Sequence, residues 1–397
     1  MILKPNVPYA GEHHYSVILG KDSIEVITKP GLPDWDLISP STQLLAKYPV
    51  IKPTDSVLLY GCHQGALGVY LARSLPEGLL WLTDNNQTAL DMIQMTLKAN
   101  NISSANILID IELPPRLYQK FNTVYIQIPK GRQLTRRWLV QAYNALLLEG
   151  SLYISGSNNT GIKTMINDAQ ELFGQGRILA YKKGNRVAQF IKKSVAELTP
   201  EWAQTPGIAP GTWVEYSIHL ANYTFRIRSL PGVFSFAHLD EGTKMLLDIT
   251  TILPGANVLD VGCGYGIIGL YAAAKGAGLV HLIDNNLLAV SSCNETLTLN
   301  RITNAKVFAG DLLNPIGSNK YDLVLSNPPF HTGHAVDLQI AQALIDQSWQ
   351  ALNPGGQLII VANRFIRYDH LIKAIFGNVS TLTESGKFHV LSGLKSR

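Results

Sequence analysis

The 397-residue chain is poor in cysteine: it has three, Cys62, Cys263 and Cys293, with no CxxC spacing. That excludes a disulfide framework and a cysteine zinc site, and it fits a reducing compartment. Charged residues are scarce too, 16% against 46% hydrophobic, which excludes a disordered or fibrous chain. Long apolar runs are missing. The stretch from Gly266 to Val280 is cut by Lys275, short of the ~20 residues a membrane span requires. The opening Met-Ile-Leu-Lys-Pro-Asn holds no continuous apolar segment of the secretory kind, so a cytoplasmic protein with no membrane contact is expected.

At about 150 residues per domain, the length suggests two to three domains. The net charge of +4 is unevenly spread: residues 1–200 hold 20 Lys/Arg against 15 Asp/Glu, and residues 201–397 hold 13 against 14. The excess concentrates at Lys130, Arg132, Arg136 and Arg137, and again at Arg177, Lys182, Lys183, Arg186, Lys192 and Lys193. A stripe of this kind suits a polyanion such as RNA, or a solvated face.

What the chain does have is a long internal repeat. Val57-Leu-Leu-Tyr-Gly-Cys-His-Gln-Gly aligns with Val258-Leu-Asp-Val-Gly-Cys-Gly-Tyr-Gly, an offset of 262 − 61 = 201. Asp84-Asn85-Asn86 matches Asp284-Asn285-Asn286, and Thr96 to Asn100 matches Thr296 to Asn300, both shifted by 200. Phe173-Gly174 pairs with Phe376-Gly377. Two copies of one domain follow. In the second copy the periodicity predicts strands at 257–261, 279–284, 305–309, 321–326 and 357–362. It predicts helices at 267–275, 286–300, 335–351 and 368–376, then a hairpin closed near Ser385-Gly386. That alternation implies an α/β fold with a mostly parallel sheet, helices on both faces, and a ligand site at the carboxyl ends of the strands. The expected layout is a first domain at 1–195, a Pro/Gly-marked linker and hairpin at 196–230, and a second domain at 231–397.

Two motifs carry chemistry. Asp260-Val-Gly262-Cys-Gly264-Tyr-Gly266 is a strand end, a tight glycine turn and a helix start, where a ligand can approach the main chain. From Gly264 the run also satisfies GxGxxG, so a dinucleotide site stays open. An anion at Asp260 repels a pyrophosphate and attracts a cationic aminoacyl ligand, and Asp284 suits a ribose diol in either case. The second motif is Ser326-Asn327-Pro328-Pro329-Phe330-His331. A stiff Asn-Pro turn fixes two acceptors side by side, suited to a planar conjugated amino group, and Phe330 can stack on the attached ring. His331 and His334 provide two potential ligands without a third, so no metal is expected. Cys263 fills a small-residue position in the glycine turn, as Cys62 does in the first copy.

On these residues the second copy resembles the class I S-adenosylmethionine methyltransferases that modify amino groups. The duplicated layout, with Leu230-Pro-Gly-Val-Phe-Ser235, Leu239-Asp240-Glu-Gly242 and Val361-Ala-Asn363, resembles the ribosomal RNA guanine-N2 methyltransferases of the RsmC and RlmG type. The resemblance implies two tandem Rossmann-like domains, the first degenerate. It implies S-adenosyl-L-methionine as cofactor and ribosomal RNA, 16S in particular, or a ribosomal subunit as partner. Asp260, Gly262, Gly264 and Gly266 would hold the methionine end, Asp284 the ribose and Asp311 the adenine amino group, with Asn285, Leu312 and Asn327 also against the cofactor. Phe234, Asp240 and Gly242 would close the site, and Asn327, Pro328 and Phe330 would hold the target guanine. Similar motifs serve 23S guanine, adenine and protein glutamine, and a non-catalytic RNA-binding assembly protein is the alternative of a different class. The first copy has Leu59, His63 and Gln127-Ile-Pro-Lys130 where the second has Asp260, Gly264 and Asn327-Pro-Pro-Phe330. It is therefore expected to bind no cofactor and to serve as an RNA clamp or a support, its phosphate contacts coming from Lys130, Arg132, Arg136 and Arg137. Two domains in one chain mimic a dimer, so a monomer is expected.

Overall fold

The computed structural model describes residues 9, 11–193, 200–328, 334–364 and 366–396. The chain divides into two compact units, Gly11–Trp213 and Val214–Arg397, with Tyr9 belonging to the second. The segment expected as a linker at 196–230 is thus split. From Pro200 it packs into the first unit, where Trp202 Nε1 donates to Glu171 Oε2 at 2.7 Å, and its hairpin opens the second.

The first unit begins with a hairpin of β1 (His13–Leu19) and β2 (Asp22–Thr28), followed by α1 (Pro40–Lys47). Then come β3 (Ser56–Tyr60), α2 (Ala66–Ser74), β4 (Leu79–Thr83), α3 (Gln87–Ala99), β5 (Ala105–Leu108), β6 (Phe121–Gln127) and α4 (Arg132–Ala145). β7 (Leu146–Ser157), α5 (Ile162–Phe173), β8 (Arg177–Lys182) and β9 (Asn185–Ile191) complete it. The sheet order is β5-β4-β3-β6-β7-β9-β8, parallel except at β9.

The second unit repeats this plan. Its hairpin is β10 (Val214–Leu220) and β11 (Tyr223–Ser229), followed by α6 (Glu241–Ile249), β12 (Asn257–Val261), α7 (Ile267–Ala274), β13 (Leu279–Asp284) and α8 (Leu287–Leu299). β14 (Ala305–Ala309), β15 (Tyr321–Ser326), α9 (His334–Ala351), β16 (Leu352–Asn363), α10 (Tyr368–Phe376), β17 (Ser380–Glu384) and β18 (Phe388–Leu394) follow. The order β14-β13-β12-β15-β16-β18-β17 reverses direction between β12 and β15. With right-handed crossovers, that reversal puts helices on both faces and opens a crevice at the carboxyl ends of β12 and β15. Strand β16 starts earlier than the expected 357, because Leu352 already pairs with Tyr321 ahead of a bulge. Tyr321, Val324, Leu344, Ile345, Leu358, Ile372 and Phe376 form the core between the sheet, α9 and α10. On α7, a Cβ at Gly269 would lie 2.3 Å from Leu282, so only glycine lets this helix pack so closely on the sheet.

The structure gives the repeated Thr-x-x-x-Asn a structural role. Asn300 Oδ1 accepts the Arg226 N–H at 3.0 Å and its Nδ2 donates to Arg226 O at 2.6 Å, while Thr296 Oγ1 exchanges two bonds with the Arg228 backbone. Asn100 and Thr96 make the same four bonds to Glu25 and Ile27. A two-stranded hairpin has open edges, and in both units the helix satisfies one of them with side chains.

Candidate active site

In the second unit Asp260, Asp284 and Ser326 lie at the carboxyl ends of three adjacent parallel strands, which brings together residues up to 66 positions apart in the chain. Asp260 is fully buried. Its Oδ2 accepts the Gly269 N–H at 3.0 Å, and its Oδ1 has no partner among the described residues. Burial, reinforced by the nearby Asp284 charge, pushes its pKa up to about 7. Gly262 and Gly264 have φ of 75° and 56°. A Cβ on Gly262 would meet nothing within 4 Å, and one on Gly264 would meet only Val233 at 3.9 Å, so the turn borders an open cradle. Gly266 differs: a Cβ there would lie 2.5 Å from Cys293 Sγ, so this glycine serves packing. The Cys263 thiol is pushed well up by its bond to Cys293 and by burial, which makes it unreactive.

Asp284 is bound to the turn itself, its Oδ2 accepting from Gly264 N at 2.9 Å and its Oδ1 from Asn286 N at 2.8 Å. Burial raises its pKa, and these bonds oppose the rise. Asn285 is half-buried beside it, and Asn286 caps α8 while donating to Gly232 O. Asp311 follows β14, and its Oδ1 accepts the Tyr9 hydroxyl at 2.6 Å, a partner that no sequence signal announced. Leu312 packs on the core at a left-handed φ of 48°.

Asn327 Nδ2 donates to Asp240 Oδ2 at 3.0 Å and to Thr243 Oγ1 at 2.8 Å. Asp240 also caps α6 through Thr243 N. With both amide hydrogens held, the orientation of Asn327 is determined and Oδ1 remains its acceptor. Thr243 is thus a site residue that the sequence reading did not single out. Gly242 is buried, and a Cβ there would lie 3.0 Å from Asp240 Oδ2. Pro328 is buried and Phe234 is 57% exposed, whereas Phe330 lies outside the described residues. Among the described residues, no three His, Cys, Asp or Glu side chains converge as a metal site.

The first unit keeps the frame and fills the cradle. Asp84 accepts from His63 N and Asn86 N, both at 3.1 Å, as Asp284 does in its own unit. At the place of Gly264, however, stands His63, whose Nδ1 lies 3.8 Å from Asp34 Oδ2. Burial works against both charges, yet the pairing prevails: the His63 pKa is raised and that of Asp34 lowered. Gln127 accepts from Thr42 Oγ1 at 2.6 Å and donates to Gly61 O at 2.7 Å, so its amide is turned inward. Of the four residues expected to contact phosphates here, three are engaged within the fold. Arg132 and Arg136 both grip the fully buried Asp168 through paired bonds of 2.7–3.0 Å, and Arg136 also stacks on Trp202. Arg137 is 2% exposed and donates to Gly207 O. A buried carboxylate must be paired, and that need engages the arginines. Lys130 alone of the four is exposed without a carboxylate partner among the described residues.

Fold and site together define a duplicated α/β methyltransferase-type protein with one open and one filled cradle. The family description "Methyltransferase small domain" matches twice, at residues 23–189 and 224–392. A ribosomal RNA small subunit methyltransferase C of Psychromonas ingrahamii is 33% identical over 277 residues, 69% of this chain and 76% of the relative. One from Shewanella sp. (strain MR-7) is 33% identical over 328 residues, 81% of this chain and 91% of the relative. The solved T. thermophilus 16S rRNA N2 G1207 methyltransferase (RsmC), in complex with AdoMet and guanosine, superposes with a TM-score of 0.81 at 25% identity, covering 97% of this chain and 98% of that one. The chain therefore belongs to the methyltransferase small-domain family, among the ribosomal RNA small subunit methyltransferase C proteins.

Proposed function

We propose that this chain methylates the 2-amino group of a guanine in 16S ribosomal RNA, with S-adenosylmethionine as donor and the second unit as the catalytic domain. The reading is supported by the two named relatives and by the T. thermophilus RsmC likeness. The cradle fits the cofactor: an orphaned Asp260 oxygen calls for a cationic group, and two left-handed glycines leave room for a ligand against the main chain. When bound, the cofactor supplies an electrophilic methyl carbon. Asp260 and the Gly262–Gly266 turn hold its methionine end, Asp284 and Asn285 the ribose, Asp311 and Leu312 the adenine, while Phe234, Asp240 and Gly242 border the site. Asn327 Oδ1 and the Pro328 carbonyl accept the two N–H bonds of the guanine amine, directing its lone pair at the methyl carbon, and Phe330 stacks on the base. Transfer would form the C–N bond as the methyl–sulfur bond breaks, leaving neutral S-adenosylhomocysteine, and one amine proton would go to water. The first unit is a degenerate copy with no cofactor. The protein acts as a monomer in the cytoplasm.

The fixed amide of Asn327 carries this reading. Purified protein given labelled cofactor and small-subunit ribosomal RNA yields N2-methylguanosine after digestion. The Asn327→Ala variant loses about 10²- to 10³-fold in rate, on the scale of removing one preorganised polar group from an active site. Label appearing on adenosine or on protein, or an unchanged Asn327→Ala rate, overturns the assignment.

A further inference from the structure

The basic excess of the first half has to be placed, since the rim arginines are engaged within the fold. It emerges at the β8–β9 hairpin. Between Arg177 and Lys193 lie six Lys or Arg and no Asp or Glu. Lys182 and Lys183 sit at the tip, where left-handed Lys183 and Gly184 form the two-residue turn. Both are exposed, and neither pairs with a carboxylate among the described residues. Arg186 lies 4.6 Å over the ring of Tyr181, itself 61% exposed, and donates to Asn158 Oδ1. The tip is tied to the short turn Asn158–Thr160 that precedes α5, Asn158 N donating to Gly184 O, and exposed Lys163 lies in the first turn of that helix.

The second unit supplies the control. Its corresponding hairpin, β17–β18, occupies the same sheet edge, yet β17 reads Ser-Thr-Leu-Thr-Glu. The cations nearest its turn are paired, Lys387 with Glu241 at 3.8 Å and Arg364 with Glu384 at 3.6 Å. Lysines often guard an exposed sheet edge against pairing, but this fold manages the equivalent edge without them. Unpaired cations around an exposed aromatic ring are what a nucleic-acid backbone with an unstacked base requires.

We propose that the β8–β9 hairpin tip of the first unit, Tyr181, Lys182, Lys183 and Arg186, is an RNA-docking surface, the lysines contacting phosphates and Tyr181 stacking on an unpaired base. The proposal rests on ribosomal RNA being the substrate. Anisotropy titrations of the full chain with a 16S rRNA fragment, repeated across salt concentrations, test it. For Lys182→Gln/Lys183→Gln, the slope of log affinity against log salt falls by about 1.5, since each phosphate contact contributes roughly 0.7–0.9. Tyr181→Ala weakens binding without changing the slope. Lys52→Gln/Lys98→Gln, removing two exposed lysines elsewhere on the same unit, leaves the slope nearly unchanged. An unchanged slope in the hairpin variant, or an equal fall in the control, overturns the proposal. So does wild-type protein that binds cofactor but shows no salt-dependent RNA binding. Calorimetry with S-adenosylmethionine on the same preparations keeps the two readings apart, because failure there strikes the methyltransferase assignment and not the docking surface.

Discussion

Leu59, His63 and Gln127 in the first unit occupy the strand-end positions that Asp260, Gly264 and Asn327 occupy in the second, on a matching sheet. In the second unit these residues leave an open turn, an orphaned carboxylate oxygen and an amide held through its nitrogen by Asp240 and Thr243. In the first they leave a leucine, a His63–Asp34 pair over the turn and an amide bonded inward at both ends. Asp84 and Asp284, by contrast, keep the same bonds in both units. A carboxylate at the tip of that strand is therefore part of the scaffold, and its presence does not by itself indicate a ligand. The two units differ in the space over the turn and in the partners that hold one amide.

The largest effect should come from making the second unit copy the first. Gly264→His places a side chain in the cradle at a φ of 56°, and His63 is accommodated in the first unit at 54°. The fold should survive while cofactor binding falls below calorimetric detection. Retained affinity would show that the ligand does not lie over this turn.

Next is the charge of Asp260. Its pKa in the folded chain, about 7, lies above the ordinary value of 3.8, so the ligand-free protein is most stable with this group protonated. That contribution is lost as pH rises from about 4 through about 7. A cationic ligand favours the ionised form. Cofactor affinity should therefore rise with pH up to about 7, by at most about tenfold per unit, and level off above it. Asp260→Asn should flatten the profile, whereas a slope retained in that variant would assign the titration elsewhere.

The smallest effect tests sameness. Thr96→Val and Thr296→Val each remove the side chain that serves two hairpin backbone groups, and each should cost about 1–3 kcal/mol in chemical unfolding of its own unit. A marked difference between the two would mean that the repeated docking does not contribute equally in the two halves.

Much of this was legible in the sequence. The 200-residue offset exposed the duplication, and strand and helix limits in the second half fell within a residue or two for most elements, because apolar runs bounded by glycines are local signals. The hairpin expected within 196–230 appears as Val214–Leu220 and Tyr223–Ser229. The fate of the arginines was hidden. Asp168 lies 36 and 32 residues from Arg132 and Arg136, and Gly207 lies 70 from Arg137, so only the folded chain brings them together. Thr96, Asn100 and their counterparts were visible as a repeat but silent about purpose, since docking a hairpin leaves no periodic trace. Tyr9 reaches Asp311 across 302 positions, beyond any local pattern.

The inward amide of Gln127 bears on the history of such pairs. Restoring the first copy would take Leu59→Asp, His63→Gly and Gln127→Asn together, and each step alone is harmful or idle. An aspartate at position 59 would be a buried charge without a counter-ion, a glycine at 63 would strip Asp34 of its partner, and a shortened amide would abandon Thr42 or Gly61. If the first copy is degenerate, as proposed, three coupled contacts stand between it and its former chemistry, and its surface is freer to change than its pocket.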